Sequence, residues 1–422
     1  LLATLAGIVP TVIDATVTGS LSTGPAVTPA RTGMVLSDAA AHLFATVDEE
    51  VAYALTNHDV AEDDLPRRVR QALDAVGAGG LTGRQLHTLS GGEHQLVEVA
   101  AALAADPTLL LLDEPFEQLD PTSAAELLTL GRARASAGTT VIVATRGDGT
   151  VPGGVHRVHL EDGRQATPPG PSPAPVPHRP RGTGAVVLDI QALRHAYGSG
   201  RGLDTVDLRV RAGESVALLG PNGSGKTTLI KHALGLLRPD SGQVRVGDLD
   251  GRTTPIHRLA EVAGLLFQNP DDQLFNTTVE REVAWGLTAS GVARREAIVR
   301  TRTVLAELGL DSLADENPLE LRSTQRQLVA LASVLVRRPR LLLLDEPTRA
   351  LDAAATSVLL AAIDRRLDQG VAVLTITHDL RFATSIADRW VILQAGRVLA
   401  DGPAATVASD DDTLRRARLL PM

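Results

Sequence analysis

Gly220-Pro-Asn222-Gly223-Ser224-Gly225-Lys226-Thr227 follows the apolar run Glu214-Ser-Val-Ala-Leu-Leu219 and opens Thr228-Leu-Ile-Lys-His-Ala-Leu234. A buried strand, a glycine-rich turn and a helix start in that order make a phosphate-binding loop. Glycines let successive backbone N–H groups wrap an anion, and the helix N-terminus adds partial positive charge. The expected nucleotide contacts are Gly220, Asn222, Gly223, Ser224, Gly225, Thr227 and Thr228. Lys226 is expected on the β- and γ-phosphates, and the Thr227 hydroxyl on Mg2+.

Downstream, Leu341-Leu-Leu-Leu-Asp345 reads as a buried parallel strand ending in a carboxylate, followed by the apolar strand Val371-Ala-Val-Leu-Thr-Ile376. Asp345 is placed to hold Mg2+, and the adjacent Glu346 to polarise an attacking water. On its own, an apolar run before Asp-Glu also fits a core strand and a helix cap. An intact phosphate loop upstream favours the catalytic reading.

The same pattern occurs earlier in the chain. Leu109-Leu-Leu-Leu-Asp113 and Thr140-Val-Ile-Val-Ala144 match the two strands above, and Gly33-Met-Val-Leu-Ser37 matches Gly264-Leu-Leu-Phe-Gln268. Leu43-Phe44 falls opposite Leu274-Phe275, and Ser90 precedes Asp113 by the interval that separates Arg322 from Asp345. So long a period is domain duplication, not an array of short repeats. Leu1 falls opposite Leu229, just past where a first phosphate loop would stand, so the first copy reads as truncated at its N-terminus. Strands alternating with helices call for a mainly parallel sheet covered on both faces, with ligands beyond the carboxyl ends of its strands. The expected class is α/β, two tandem phosphate-loop domains at 1–166 and 185–422.

Between them, 167–184 holds seven prolines, which favour polyproline II and a passive tether. At about 3.1 Å per residue it spans on the order of 50 Å. A length of 422 residues is too great for one core, and 44% apolar with 22% charged residues is a globular composition. The net charge of −9 gives no bulk reason to expect nucleic acid. The chain has no cysteine, which excludes disulfides and thiolate metal sites, and no apolar run approaches the roughly 20 residues of a membrane span. His156 and His159 lack metal-site spacing, and Asp410-Asp-Asp412 reads as a solvated tail.

Taken together, the phosphate loop, Gln268, Leu89-Ser90-Gly91-Gly92-Glu93, the Leu-Leu-Leu-Asp-Glu-Pro runs, Leu351-Asp352 and Thr377-His378 resemble ATP-binding cassette (ABC) ATPases over essentially the whole chain. Phe267-Gln-Asn-Pro-Asp-Asp-Gln-Leu-Phe275 with Val283-Ala-Trp-Gly-Leu287 is similar to the ATPase subunits of energy-coupling factor importers of vitamins and transition-metal ions. The resemblance implies a helical signature subdomain in each domain and head-to-tail pairing of the two. It implies ATP and Mg2+ as cofactors, with Tyr197 stacking on adenine, Gln268 contacting Mg2+ and the attacking water, and His378 contacting the γ-phosphate. It also implies an integral membrane subunit whose coupling helix docks near Gln268–Phe275, a substrate-binding membrane protein, and a place on the cytoplasmic face of the membrane.

In that arrangement Ser90, Gly91, Gly92 and Glu93 close the site built on Lys226 from the opposite domain, and Asp120 lies at the seam. The other composite site is poor: Arg322-Ser323-Thr324 replaces the signature, Ser37 the glutamine and Arg146 the histidine. Glu114 survives there. Two other readings stay open, a soluble tandem protein acting on ribosomes or DNA and a non-catalytic regulatory fragment.

Overall fold

The computed structural model describes residues 1–9, 16, 18, 20, 22, 28, 31–36, 44–58, 60–116, 119–145, 154–161, 163–167, 184–197 and 202–420. Ser37, Leu43, Arg146 and the proline-rich stretch between Thr167 and Gly184 lie outside them. The chain divides into two compact units, Leu1–Ser172 and Pro173–Leu420.

In the first unit the strands are β1 (Thr32–Val35), β2 (Leu109–Asp113) and β3 (Thr140–Ala144), with a hairpin of β4 (His159–Glu161) and β5 (Arg164–Ala166). Its helices are α1 (Leu2–Leu5), α2 (Val47–Thr56), α3 (Leu65–Ala75), α4 (Gly91–Ala104) and α5 (Pro121–Ser136). Strands β1, β2 and β3 pair in parallel in that order. The leucines of β2 alternate between faces, as the two-residue period of a strand requires. Leu110 and Leu112 join a core with α2, α3 and α4, while Leu109 and Leu111 pack with Leu2 and Leu5 of α1.

The second unit repeats and extends this plan. Its strands are β6 (Val186–Ala196), β7 (Gly202–Arg211), β8 (Ser215–Leu219), β9 (Ser241–Val246), β10 (Leu249–Asp250), β11 (Ala263–Leu266), β12 (Leu341–Asp345), β13 (Ala372–Ile376), β14 (Arg389–Gln394) and β15 (Arg397–Pro403). Its helices are α6 (Lys226–Ala233), α7 (Ile256–Val262), α8 (Val279–Ala289), α9 (Arg294–Glu307), α10 (Ser323–Leu335), α11 (Ala353–Asp368), α12 (Leu380–Ile386), α13 (Ala404–Ala408) and α14 (Asp411–Arg416). The six-stranded sheet runs β11-β12-β13-β8-β14-β15, parallel except for the last pair. Every residue of β8, β12 and β13 is buried, so these strands can be apolar on both faces.

Again the faces separate. Ala217, Leu219, Leu342 and Leu344 pack toward α8–α12, and Val216, Leu218, Leu341 and Leu343 toward α6 and a second sheet. That second sheet, β10-β9-β6-β7, is antiparallel, an element the strand–helix alternation did not announce. It was legible in Leu203, Val206, Leu208 and Val210, which recur at near-alternate positions and are buried along β7. Arg366 of α11 grips Glu307 of α9 with two bonds of 2.9 Å, tying the two helices together. Asp410 accepts from Thr413 and caps α14, so Asp410–Asp412 is a helix start and not a tail.

Glu98 of α4 feels both burial and the charge of Glu50 on α2, which push its carboxyl up to about 7 from an ordinary 4.5. The folded state therefore holds this proton more tightly than the unfolded chain. The stabilisation is complete below pH 4.5 and is lost as pH rises through about 7. Glu98→Gln is expected to raise the melting temperature of the first unit by a few degrees above pH 7, the gap closing toward pH 4.5. Thermal melts across that range check it.

Candidate active site

In the second unit the carboxyl ends of four adjacent strands gather the predicted groups on one edge of the sheet. Strand β8 delivers the phosphate loop, β12 delivers Asp345 and Glu346, β13 leads to His378, and β11 leads to Gln268. Register enforces this, since Leu266 lies opposite Leu344, Asp345 opposite Ile376, and Ile376 opposite Leu218.

The loop needs its glycines for two different reasons. Gly220 has φ +142°, and a Cβ there would lie 2.1 Å from the Leu393 carbonyl oxygen. Gly225, at φ +105°, caps α6 in a left-handed conformation. Lys226 is 8% exposed and donates to the carbonyls of Gly220 at 2.7 Å and Pro221 at 2.9 Å, which holds its ammonium over the loop. Ser224 is buried beneath the loop, whereas Asn222, Gly223 and Thr227 are exposed. Tyr197 follows β6, is 42% exposed, meets the edge of His195 and shares a hydrogen bond of 3.4 Å with Thr228. An aromatic face thus stands beside the start of α6.

The Thr227 hydroxyl donates to Asp345 Oδ2 at 3.2 Å. Burial and the adjacent Glu346 push the Asp345 carboxyl up to about 6. Burial also acts to raise Glu346, but the charge and hydrogen bond of His378 outweigh it and hold Glu346 below the usual range. Glu346 in turn raises His378, at 3.0 Å between Oε1 and Nδ1. Glu346 has φ +47°, a left-handed conformation that costs a non-glycine residue about 1–2 kcal/mol. Its N–H is tied to the Ile376 carbonyl. Glu114 in the first unit has φ +48° and the same tie, to Ala144. Gln268 is exposed on the loop after β11.

Mg2+ keeps water and phosphate oxygens and needs only one or two protein oxygens. A threonine hydroxyl beside a buried carboxylate is such a donor pair. The residues fit the ion. Among the described residues there is no cluster of three or more His, Cys, Asp or Glu able to hold a metal.

In the first unit Ser90 caps α4 in a reciprocal box: Glu93 N–H donates to Ser90 Oγ at 3.4 Å, and Ser90 N–H to Glu93 Oε2 at 2.8 Å. Burial opposes ionisation of Glu93, but these bonds and Arg84 at 2.9 Å hold its pKa down. Gly91 is exposed at the helix start, Gly92 is buried, and Asp120 caps α5 through Ser123. The corresponding segment of the second unit is built otherwise. Arg322 N–H is capped by Gln325, and the Thr324 hydroxyl donates to the Ala350 carbonyl at 2.7 Å. Sequence reasoning missed that last bond, because its acceptor is a backbone atom.

A family model for the ABC transporter matches residues 18–117 and 203–349. The chain belongs to the ABC transporter family. A Methanosarcina mazei protein named as an ABC transporter ATP-binding protein is 36% identical over 388 residues, 88% of this chain and 78% of its own. A Streptomyces coelicolor protein named in the same way is 43% identical over 59% of this chain and 94% of its own, the length of one unit. The solved structure of cbiO1 from Clostridium perfringens, part of the ABC transporter complex cbiONQ, aligns with a TM-score of 0.50 and 30% identity, over 56% of this chain and 96% of its own. This ABC ATPase is thus an ATP-binding subunit of a family whose ATPases work with membrane components. Among the described residues no helix is long and apolar enough to cross a membrane.

Gly220→Ala forces the loop or β14 to shift, so ATP affinity and melting temperature are both expected to fall. At Gly223 an added Cβ meets no protein atom within 4 Å, so the loss of stability in Gly223→Ala is limited to the left-handed cost of about 1–2 kcal/mol. Nucleotide titration beside thermal melts separates the two.

Proposed function

We propose that this chain is the ATP-hydrolysing subunit of an energy-coupling factor type importer, acting at the cytoplasmic face of the membrane on a vitamin or transition-metal ion. The observation that carries this reading is an exposed aromatic pair beside the Gln268 loop. Phe275 and Trp285 are 59% and 50% exposed, and their rings meet edge to face at 5.1 Å. Two large aromatics left in water are a costly surface for a lone subunit and a natural anchor for a partner helix. The first unit carries a similar pair, Phe44 and Tyr53, at 5.0 Å. Likeness to cbiO1 supports the same assignment. The partner is an integral membrane subunit docking near Gln268–Phe275, which works with a substrate-binding membrane protein.

For hydrolysis, Lys226 and the loop amides bind the phosphates, Tyr197 stacks on adenine, and Glu346 orients the attacking water and accepts its proton. His378 contacts the γ-phosphate and, through its bond to Glu346, sets that carboxylate's position. Thr227, Asp345 and Gln268 would hold Mg2+, which supplies positive charge against the phosphates. Positioning and charge neutralisation are what phosphoryl transfer to water requires.

The two units pair head to tail in this proposal, so that Ser90, Gly91 and Gly92 complete the site on Lys226. The other composite site is degenerate, and Thr324, bonded to Ala350, fills a position where a backbone approach needs glycine. Glu346→Gln is expected to lower turnover by about a hundred-fold or more while ATP still binds. Glu114→Gln leaves turnover near the parent value, and Gly91→Asp is nearly as damaging as Lys226→Ala. Steady-state hydrolysis with nucleotide titration measures all four, and equal losses from the two glutamate variants would defeat the asymmetry.

Phe275→Ala with Trp285→Ala is expected to abolish co-purification with the membrane subunit while hydrolysis by the isolated protein persists. Retained co-purification would overturn the docking assignment.

A further inference from the structure

Gln268 stands between two differently anchored pieces of chain. Upstream, β11 is bonded into the sheet beside β12. Downstream, residues 271–276 are bonded to helices. Arg326 of α10 donates to Asp271 at 3.1 Å. Leu274 is buried, and Glu282 of α8 accepts from the N–H groups of Phe275 at 2.9 Å and Asn276 at 2.7 Å. A displacement of α10 against the sheet therefore falls on residues 267–270.

The side chain of Gln273 crosses this gap. Its Oε1 accepts from the Phe267 N–H at 3.3 Å, and its Nε2 donates to the Ala330 carbonyl at 2.9 Å and to Ser333 Oγ at 2.8 Å. Ser333 Oγ itself donates to the Ala330 carbonyl at 2.8 Å. Arg326, Ala330 and Ser333 are spaced i, i+4, i+7 and form one stripe of α10. One amide thus uses its acceptor on the residue before Gln268 and both donors on the helix opened by Arg322-Ser323-Thr324.

We propose that Gln273 is a positioning residue for hydrolysis, clipping the backbone at Gln268 to α10 so that the position of this helix sets the position of the Gln268 side chain. The diverged signature helix of this unit then keeps a mechanical task in the competent site although its own signature contacts are lost. This inference rests on the reading of Gln268 as a contact to the reacting centre.

The test measures kcat, ATP affinity and amide hydrogen exchange in the full protein carrying Gln273→Ala, Gln273→Glu or Ser333→Ala, with Gln268→Ala as reference. Gln273→Ala is expected to lower kcat by about ten-fold or more, as misplacement of a positioned group does, with ATP affinity within about two-fold of the parent. Gln273→Glu keeps the acceptor for Phe267 and loses both donors to α10, so it loses kcat similarly. Ser333→Ala, which leaves the loop and its acceptor intact, loses less, and adding it to Gln273→Ala costs nothing further. Without nucleotide or metal, the Phe267 amide exchanges faster in Gln273→Ala while the amides of β12 keep the parent rate. Parent kcat in both Gln273 variants, with kcat lost in Gln268→Ala, would overturn the clip. Parent kcat in Gln268→Ala would instead overturn the underlying site reading, and the clip with it. Should Gln273→Ala not fold, Ser333→Ala decides: parent kcat and parent exchange at Phe267 reject the proposal.

Discussion

Parallel pairing of the buried leucine strand β12 with β11 on one side and β13 on the other is the constraint on which the second unit depends. A strand buried on both faces has no polar face to turn toward water, so it must sit in the middle of a sheet with helices or another sheet over each face. Its neighbours are thereby held parallel and in register, and their carboxyl ends finish at one edge. Asp345, Glu346, the turn to His378 and the loop carrying Gln268 share that edge because the strands preceding them share a ladder.

Chemistry at the edge follows from what burial does to charge. Asp345 resists ionisation because it is buried beside Glu346. Glu346 stays ionised because His378 is 3.0 Å away. Two adjacent carboxyls thus differ, one raised by burial and its anionic neighbour, the other held ionised by its histidine. The left-handed backbone at Glu346 is what points consecutive side chains into such different surroundings. The same left-handed backbone recurs at Glu114 in the first unit.

The two units share a common set of parallel strands and helices but differ in their polar contacts. Both have a parallel leucine strand, a helix opened by the signature segment, and an aromatic pair at the first helix after the Gln268 loop or its counterpart. At the signature, the first unit spends its side chains on a Ser90–Glu93 cap that leaves Gly91 bare. The second caps its helix from Gln325 and sends Thr324 to the Ala350 carbonyl. Packing tolerates little change in the leucines, whereas surface segments can exchange one set of hydrogen bonds for another at small cost.

The sequence by itself determined the class of fold, the duplication and the identities of the candidate site residues. Glycine at φ values other residues avoid, leucine runs that must be buried, and a lysine–threonine pair at a helix start are local requirements, and local requirements are written in local sequence. The antiparallel sheet β10-β9-β6-β7 was partly legible in the alternation along β7, yet its bulged β6 blurs the period. Only the tertiary structure decided that Glu346 and His378 pair, that Arg366 and Glu307 join two helices, and that Gln273 reaches α10. Those four contacts join residues 32, 59, 57 and 60 apart in sequence, and in the last two the acceptor is a backbone carbonyl or a serine hydroxyl with no sequence signature of its own.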